Sequence, residues 1–384
     1  MLPLPLNTRR YLSPIIDSDL KEKMVFLGGP RQVGKTSLSL QYLDPPIETH
    51  PAYLNWDNIK ARKGILQGEL PKNQKLVIFD EIHKFSRWRN LIKGLYDTHK
   101  SETAFLITGS ARLDYYRKGG DSLLGRYHYL RLHPFSLLEV NSSPTAEDLQ
   151  RLLSFGGFPE PLSRGNERFW RRWNRERLQR ILYDDLRDLE NVREVSLIEL
   201  LLDNLPERVG SPLSIQNLRE LLSVAHDSVE RWIRILETLY VCFRIPPFGA
   251  PKIKAVKKEQ KLYFWDWSQV PSPGARFENL VASQLLKYCH WMEDTEGYAM
   301  ELRYLRDVER REIDFVVLKN KRPLFAVECK TGEKSPSQVM HYFRERLQIP
   351  RYYQVHLGSA DFGNEHTSVR VLPFITFCKE LDMP

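Results

Sequence analysis

Five short apolar runs punctuate the first third of the chain: MVFLGG from Met24, AYLNW from Ala52, KLVIFD from Lys75, TAFLITG from Thr103 and YHYLRL from Tyr127. Stretches with helical periodicity follow most of them, for example SRWRNLIKGLYDTHK from Ser86. Unbroken apolar strands separated by helices predict a parallel sheet buried on both faces. The pattern shifts after Pro134. Residues 134–190 read as helices broken by turn signals at NSSP (141–144), FGGFPEP (155–161) and SRGN (163–166). Two further helices are predicted from about Ser214 and about Asp227. Both residues are N-cap candidates, and Val229, Trp232, Ile233, Leu236 and Tyr240 share one apolar face. A lysine-rich ribbon and the strand KLYFW follow. From residue 275 the pattern returns to mixed α/β, with a helix over ARFENLVASQLLKYC and strands over ELRYLR, EIDFVVL, LFAVECK and YYQVHLG.

A chain of 384 residues is too long for one hydrophobic core, so two or three domains are expected. The apolar runs are of strand length and none can span a bilayer. The first residues, MLPLPLNTRRYL, do not read as a signal peptide, because the positive charges follow the apolar stretch and that stretch holds two prolines. Cys242, Cys289, Cys329 and Cys378 lie far apart with no paired spacing. They read as free thiols in a reducing cytoplasm, with neither a zinc site nor a disulfide framework. The net charge of +8 favours an anionic partner, with nucleic acid as the first candidate and general solubility as the alternative reading.

The candidate chemistry of the first domain is a phosphate site. The segment GGPRQVGKTSL completes the pattern G-x-x-x-x-G-K-[ST] from Gly29 to Thr36. Gly29 and Gly34 let the backbone turn, so that the amides of Pro30–Ser37, through Arg31, Gln32 and Val33, line a cradle for the phosphates of ATP. Pro30 itself supplies shape and no donor. Lys35 brings positive charge to the β- and γ-phosphates, Thr36 a hydroxyl for magnesium, and the following helix its positive end. The run KLVIFDEI delivers Asp80 to a strand's carboxyl end, where it is expected to hold magnesium through water, and Glu81 is expected to orient and deprotonate the attacking water. The next strand ends in ITGSAR, so that Thr108 or Ser110 is expected beside the γ-phosphate. Arg126, just before the strand YHYLRL, is a candidate for neutralising transition-state charge in its own subunit or a neighbour's, the alternative being a surface arginine with no part at the phosphates; a homo-oligomer is expected.

Taken together these residues resemble a widespread prokaryotic group of AAA-type ATPases with a GPRQVGKT loop, a DEI box, an ITGS strand and an LxGR segment. In that group the ATPase is followed by a conserved C-terminal region of undefined function. The resemblance extends through GGFPEPL (156–162), YDDLRDL (183–189), the helical stretch 214–248 and KLYFWD (261–266), with Trp267 where the group more often has a small residue. It implies a winged helix over the middle unit. Its wing is PKIKAVKKEQKLY, where Lys252, Lys254, Lys257, Lys258 and Lys261 suit a phosphate backbone.

The last segment carries a second constellation. Asp314 lies on EIDFVVL, and Glu328 and Lys330 lie on LFAVECK, with KNKRP as the turn of a hairpin. This resembles the restriction-endonuclease-like core, with an acid on one strand and E-x-K on the next, and Glu278 in the preceding helix matches the extra acid often used there. Two carboxylates suit magnesium, a hard cation that bridges a scissile phosphate, and the lysine offsets charge on phosphorus. The E-x-K pattern alone carries no weight, since Glu259-Gln260-Lys261 repeats it. Context favours Glu328 and Lys330, which alternate with Val327 and Cys329 and so share one face. The whole reading is α/β: an AAA-type P-loop domain (1–140), a helical lid (141–194), a winged helix (195–268) and a nuclease-like domain (269–384). ATP and magnesium are its cofactors, no membrane is engaged, and a DNA-binding nuclease is the expected activity of the last domain. The alternative is a nucleotide-driven switch or adaptor whose nuclease fold is catalytically silent.

Overall fold

The computed structural model describes residues 9–109, 123–185, 194–249, 259–362 and 369–384. The chain divides into two units: Met1–Pro134 with Thr238–Tyr240, and Phe135–Glu237 with Val241–Pro384. Among the described residues no helix is long and apolar enough to cross a membrane.

The first unit starts with helix α1 (Ser13–Asp19) and is built on strands β1 (Met24–Gly28), β2 (Tyr53–Asn55), β3 (Leu76–Asp80), β4 (Ala104–Thr108) and β5 (Tyr127–Arg131). They form a five-stranded sheet in the order β2-β3-β4-β1-β5, and every pairing is parallel. Each of the five apolar runs read from the sequence supplies one strand. Helices α2 (Lys35–Leu40), α3 (Ile59–Gln67) and α4 (Trp88–His99) join them. The Asn58 side chain caps α3 by accepting from the amides of Lys60 and Ala61. Met24, Phe26, Val77, Phe79, Phe105 and Ile107 pack with Trp88, Ile92 and Leu95 of α4 in one buried cluster. Because all strands run the same way, their carboxyl ends share one edge, where α/β ligand sites form.

The second unit begins with helices α5 (Leu137–Val140), α6 (Ala146–Phe155), α7 (Pro159–Arg164) and α8 (Glu167–Arg180). The expected turns fall between them. Three more helices follow, α9 (Val195–Asn204), α10 (Ile215–Leu222) and α11 (His226–Thr238), then strands β6 (Cys242–Ile245) and β7 (Lys261–Phe264). Ser214 caps α10 as read, by accepting from the Asn217 amide. Asp227 does not cap α11: the helix starts one residue earlier, at His226, and Asp227 lies in its first turn. Strands β6 and β7 form a separate antiparallel two-stranded ribbon. Arg244 ties that ribbon to α11, donating to Glu237 at 2.9 and 2.8 Å and to Glu230 at 2.9 and 3.0 Å.

The last part comprises α12 (Pro273–Glu296), β8 (Met300–Arg306), β9 (Glu312–Lys319), β10 (Arg322–Lys330), α13 (Gln338–Arg346), β11 (Tyr352–His356), β12 (Val369–Pro373) and α14 (Phe374–Glu380). The sheet order is β12-β11-β10-β9-β8. Strands β8, β9 and β10 are antiparallel, and β11 and β12 run parallel to β10. The β9–β10 turn places Asn320 and Lys321 at φ 51° and 65°, the left-handed pair that a two-residue hairpin with right-twisted strands requires.

Two sequence landmarks meet inside this unit. Gly156 closes α6 at φ 73° and ψ −175°, a region open essentially to glycine alone. A β-carbon there would lie 2.3 Å from Asp266 Oδ1. Around this contact Trp267 donates its indole N–H to Leu152 O at 2.8 Å, and Trp170 donates to Ser268 Oγ at 2.8 Å. The GGFPEP and KLYFWD motifs are therefore two sides of one packing joint. Gly156→Ala is expected to destabilise the second unit by about 2–5 kcal/mol, the combined cost of a strained backbone and an overpacked contact. Thermal unfolding checks it, and an unchanged melting temperature would count against the joint.

Candidate functional site

The loop between β1 and α2 is shaped as its sequence requires. Gly29 and Gly34 have φ 137° and 99°, and a β-carbon on Gly29 would lie 2.4 Å from Leu132 O. Buried Lys35 sits over the loop and donates to Gly29 O at 2.9 Å and Pro30 O at 2.7 Å. Arg10, which the sequence reading passed over, braces the loop from behind, donating to Val33 O at 3.1 Å and His133 O at 2.6 Å.

Asp80 ends β3 beside this loop, buried, and gathers three hydroxyl donors. Thr36 Oγ1 donates at 3.0 Å, Tyr53 Oη donates at 2.5 Å, and Thr108 Oγ1 donates to the other carboxylate oxygen. Burial, with Asp80's charge beside it, raises the Tyr53 pKa far above that of a free tyrosine, so the phenol stays protonated and remains a donor. Sequence reasoning missed Tyr53 because it reaches Asp80 across the β2–β3 pairing, where Asn55 stands opposite Asp80. Thr108 was named, but its hydroxyl is committed to Asp80. Glu81 follows in a left-handed conformation at φ 58°. Its carboxylate lies 3.5 Å from Lys84 Nζ and 3.6 Å from His83 Nε2.

The carboxylates of the last domain also converge, with an addition the sequence did not suggest. Strand pairing sets Phe315 against Val327, which brings Asp314 and Glu328 together on neighbouring strands. Asp314 Oδ2 accepts from the Cys329 amide at 2.8 Å, and Lys330 donates to Glu328 Oε1 at 2.6 Å. The other oxygen of Glu328 is buried without a partner. Glu278, on α12, accepts from Tyr263 Oη at 2.7 Å. Into this cluster β7 delivers Lys261, whose side chain is 0% exposed. Its ammonium lies 2.5 Å from Glu312 Oε1, 3.2 Å from Glu278 Oε1 and 3.7 Å from Asp314 Oδ1. Burial, then the charge of Asp314, pushes the Glu278 carboxyl up to about 8 and that of Glu328 up to about 7. Burial raises Asp314 as well, with Lys261 opposing it. Burial works against the Lys261 charge, but Glu278, Asp314 and Glu312 outweigh it and hold the ammonium above its ordinary pKa.

With this geometry in place, three family models match. Residues 21–141 match one described as AAA domain. Residues 146–271 match a domain of unknown function, DUF8612, and residues 273–377 another, DUF4143. Residues 21–141 thus hold an AAA-type ATPase domain. An uncharacterised protein of Methanocaldococcus jannaschii is 21% identical over 91% of this chain and 86% of its own length. One of Mycobacterium tuberculosis is 25% identical over 91% of this chain and 79% of its own. Among solved structures, the Thermotoga maritima RuvB Holliday junction branch migration motor is similar at a TM-score of 0.30 and 17% identity, covering 58% of this chain and 82% of its own. The Aeropyrum pernix ORC1 protein, solved in complex with DNA, is similar at a TM-score of 0.30 and 15% identity, covering 74% of this chain and 94% of its own.

Within the AAA-type domain, Arg126 stands away from the loop. Its carbonyl accepts from the Met24 amide, and Tyr127 pairs with Met24 at the amino end of β1, whereas the loop leaves the carboxyl end after Gly28. Four residue steps along a strand separate the two edges, roughly 13 Å. Arg126 donates instead to Asp97 at 2.9 and 3.1 Å. A role at the phosphates of its own subunit does not fit this placement, and complementation tests a role in a neighbouring subunit. Mixing Arg126→Ala with Lys35→Ala is then expected to restore hydrolysis that neither variant shows alone. No recovery in mixed oligomers would remove Arg126 from the site. Ser110 and the lysines at 252, 254, 257 and 258 lie outside the described residues.

Proposed function

We propose that this chain is an ATP-hydrolysing switch whose nucleotide cycle controls DNA contact by its second unit. The observation that carries the ATPase half is the meeting of Thr36 and Asp80 at 3.0 Å, beyond a phosphate loop and one residue before Glu81. A hydroxyl and a carboxylate oxygen suit a hard cation. Thr36 would hold magnesium directly and Asp80 would hold it through water, and the ion would offset charge on the β- and γ-phosphates. Lys35 adds charge at the same phosphates and the loop amides orient them. Glu81 takes the proton of the attacking water, and Asp80, fixed by its hydroxyl donors, keeps Thr36 in place.

For the second unit, α9, α10 and α11 followed by the β6–β7 ribbon support a winged-helix connector over 195–268 behind a helical lid over 141–194. The order α12, β8, β9, β10, α13, β11 supports a restriction-endonuclease-like core in 269–384. The net charge of +8 supports DNA as partner.

Magnesium does not fit the acidic cluster as arranged. Among the described residues no three His, Cys, Asp or Glu side chains are grouped as a metal ion's ligands, and an ammonium stands among Glu278, Glu312 and Asp314. This favours the switch over the nuclease. The competing reading, a magnesium-dependent nuclease, draws support from Asp314, Glu328 and Lys330 meeting on adjacent strands. Incubating the protein with plasmid, linear and single-stranded DNA, with and without ATP and magnesium, tests both. The switch predicts DNA binding that changes with nucleotide and DNA left intact. Magnesium-dependent cleavage lost in Glu328→Ala would establish the nuclease instead, and no DNA binding under any condition would remove DNA from the account.

A further inference from the structure

We infer that Lys261 is a built-in cation that closes the acidic cluster of the last domain, and that its ammonium and a divalent metal ion exclude one another there. The inference deepens the nuclease-like reading of that domain and depends on it for the identity of the displaced ion.

The geometry is that of a counter-ion in a cation site. Lys261 reaches carboxylates from two elements: Glu278 on α12, and Glu312 and Asp314 on β9. Glu278 and Asp314 are two of the acids that would ligate a metal. A metal ion bound to them would face a buried ammonium at contact distance, where two positive charges in a poorly solvated site repel strongly. Either cation satisfies the acids, and both together do not fit.

Lys261 is also not needed to complete the sheet that carries those acids. It stands on β7, in the two-stranded ribbon, while the acids stand on the five-stranded sheet and its packing helix. Withdrawing it breaks no pairing of that sheet. Its strand is held by pairing with β6, where Lys261 stands opposite Ile245, by Leu213 N–H donating to Gln260 O at 2.8 Å, by Tyr304 Oη donating to Glu259 O at 2.7 Å, and by Asn279 of α12 against Phe264. The same ribbon is clamped to α11 through Arg244, which pairs with Glu230 and Glu237. A buried ion pair adds little stability over apolar packing, so stability alone does not account for placing a lysine here. A second sign that the cluster is built for a cation is Glu328, 6% exposed, whose second oxygen has no partner.

The test uses the full-length protein without nucleotide and manganese as probe, followed by calorimetric titration and by thermal shift. Lys261→Met should bind manganese at least tenfold more tightly than the wild type, and Lys261→Arg, which keeps the charge, should bind like the wild type. The gain should vanish in Lys261→Met combined with Asp314→Asn, which separates this site from the ATP site. If Lys261→Met does not fold, amine acylation of the wild type read by mass spectrometry decides: Lys261 should be protected without metal and modified several-fold faster with saturating manganese. Wild-type protein that binds manganese as tightly as Lys261→Met, or binds it with Lys261 still protected, would overturn the closure and leave the metal-site reading standing. No manganese bound at the Asp314 site by any of the variants would overturn both.

Discussion

Glu81→Gln is expected to bind ATP as the wild type does and to hydrolyse it about 10² to 10⁴ times more slowly, the usual contribution of a positioned general base. The substitution keeps the volume and removes the ability to take a proton. Glu81 holds none of the loop: its near neighbours are Lys84 and His83, so binding and folding are spared. Its left-handed backbone at φ 58° turns the chain immediately after Asp80 and presents the carboxylate beyond the strand. Equilibrium binding of a fluorescent ATP analogue together with phosphate release separates the two effects. Wild-type turnover in Glu81→Gln would assign the base elsewhere, and weakened binding would give Glu81 a part in holding nucleotide.

Asp80→Ala is expected to abolish magnesium-dependent turnover and to lower stability as well, because the carboxylate has two functions. It would hold the ion, and it accepts from Thr36, Tyr53 and Thr108. Removing a buried acceptor costs about 1–3 kcal/mol for the donors left unpaired. Asp80→Asn separates the functions: its remaining carbonyl oxygen still accepts a hydroxyl, so most stability should return, while a neutral amide is a poor ligand for magnesium. Melting curves and phosphate release on both variants check this. Full activity in Asp80→Asn would mean that Asp80 is structural only.

Much of the AAA-type domain is legible in the sequence because its strands are buried on both faces. A run such as LVIF has no polar position, so its type does not depend on register, and the parallel order leaves the loop and Asp80 at one edge. The placement of Arg126 was implicit in the same logic: a residue that precedes a parallel strand stands at the opposite edge from a loop that follows one. Tyr53 and Arg10 were not legible, since each reaches the site from a segment distant in the chain. The strand VRVLP at 369–373 was not read from the sequence, although it joins the last sheet beside β11.

In the last domain the hairpin and the facing of Asp314 and Glu328 follow from period-two alternation, and both were readable. Lys261 was not. In sequence it is one lysine of a basic ribbon and part of an uninformative E-x-K repeat. Only the return of β7 against α12 and β9 turns it inward, 0% exposed, with Glu312 as an unforeseen partner. Charge patterns show which residues are available for pairing; the pairing itself is set by tertiary contacts between separate elements.

The claim that the first domain hydrolyses ATP is tested most directly by phosphate release from the wild type and Lys35→Ala, purified side by side, with ATP and with or without magnesium. Lys35 is the buried cation of the loop, held at 2.9 and 2.7 Å from the carbonyls of Gly29 and Pro30, and its loss removes the charge that meets the phosphates. Steady, magnesium-dependent release by the wild type and none by Lys35→Ala is the predicted result. Equal release by the two proteins, or none by the wild type under any condition, would contradict it.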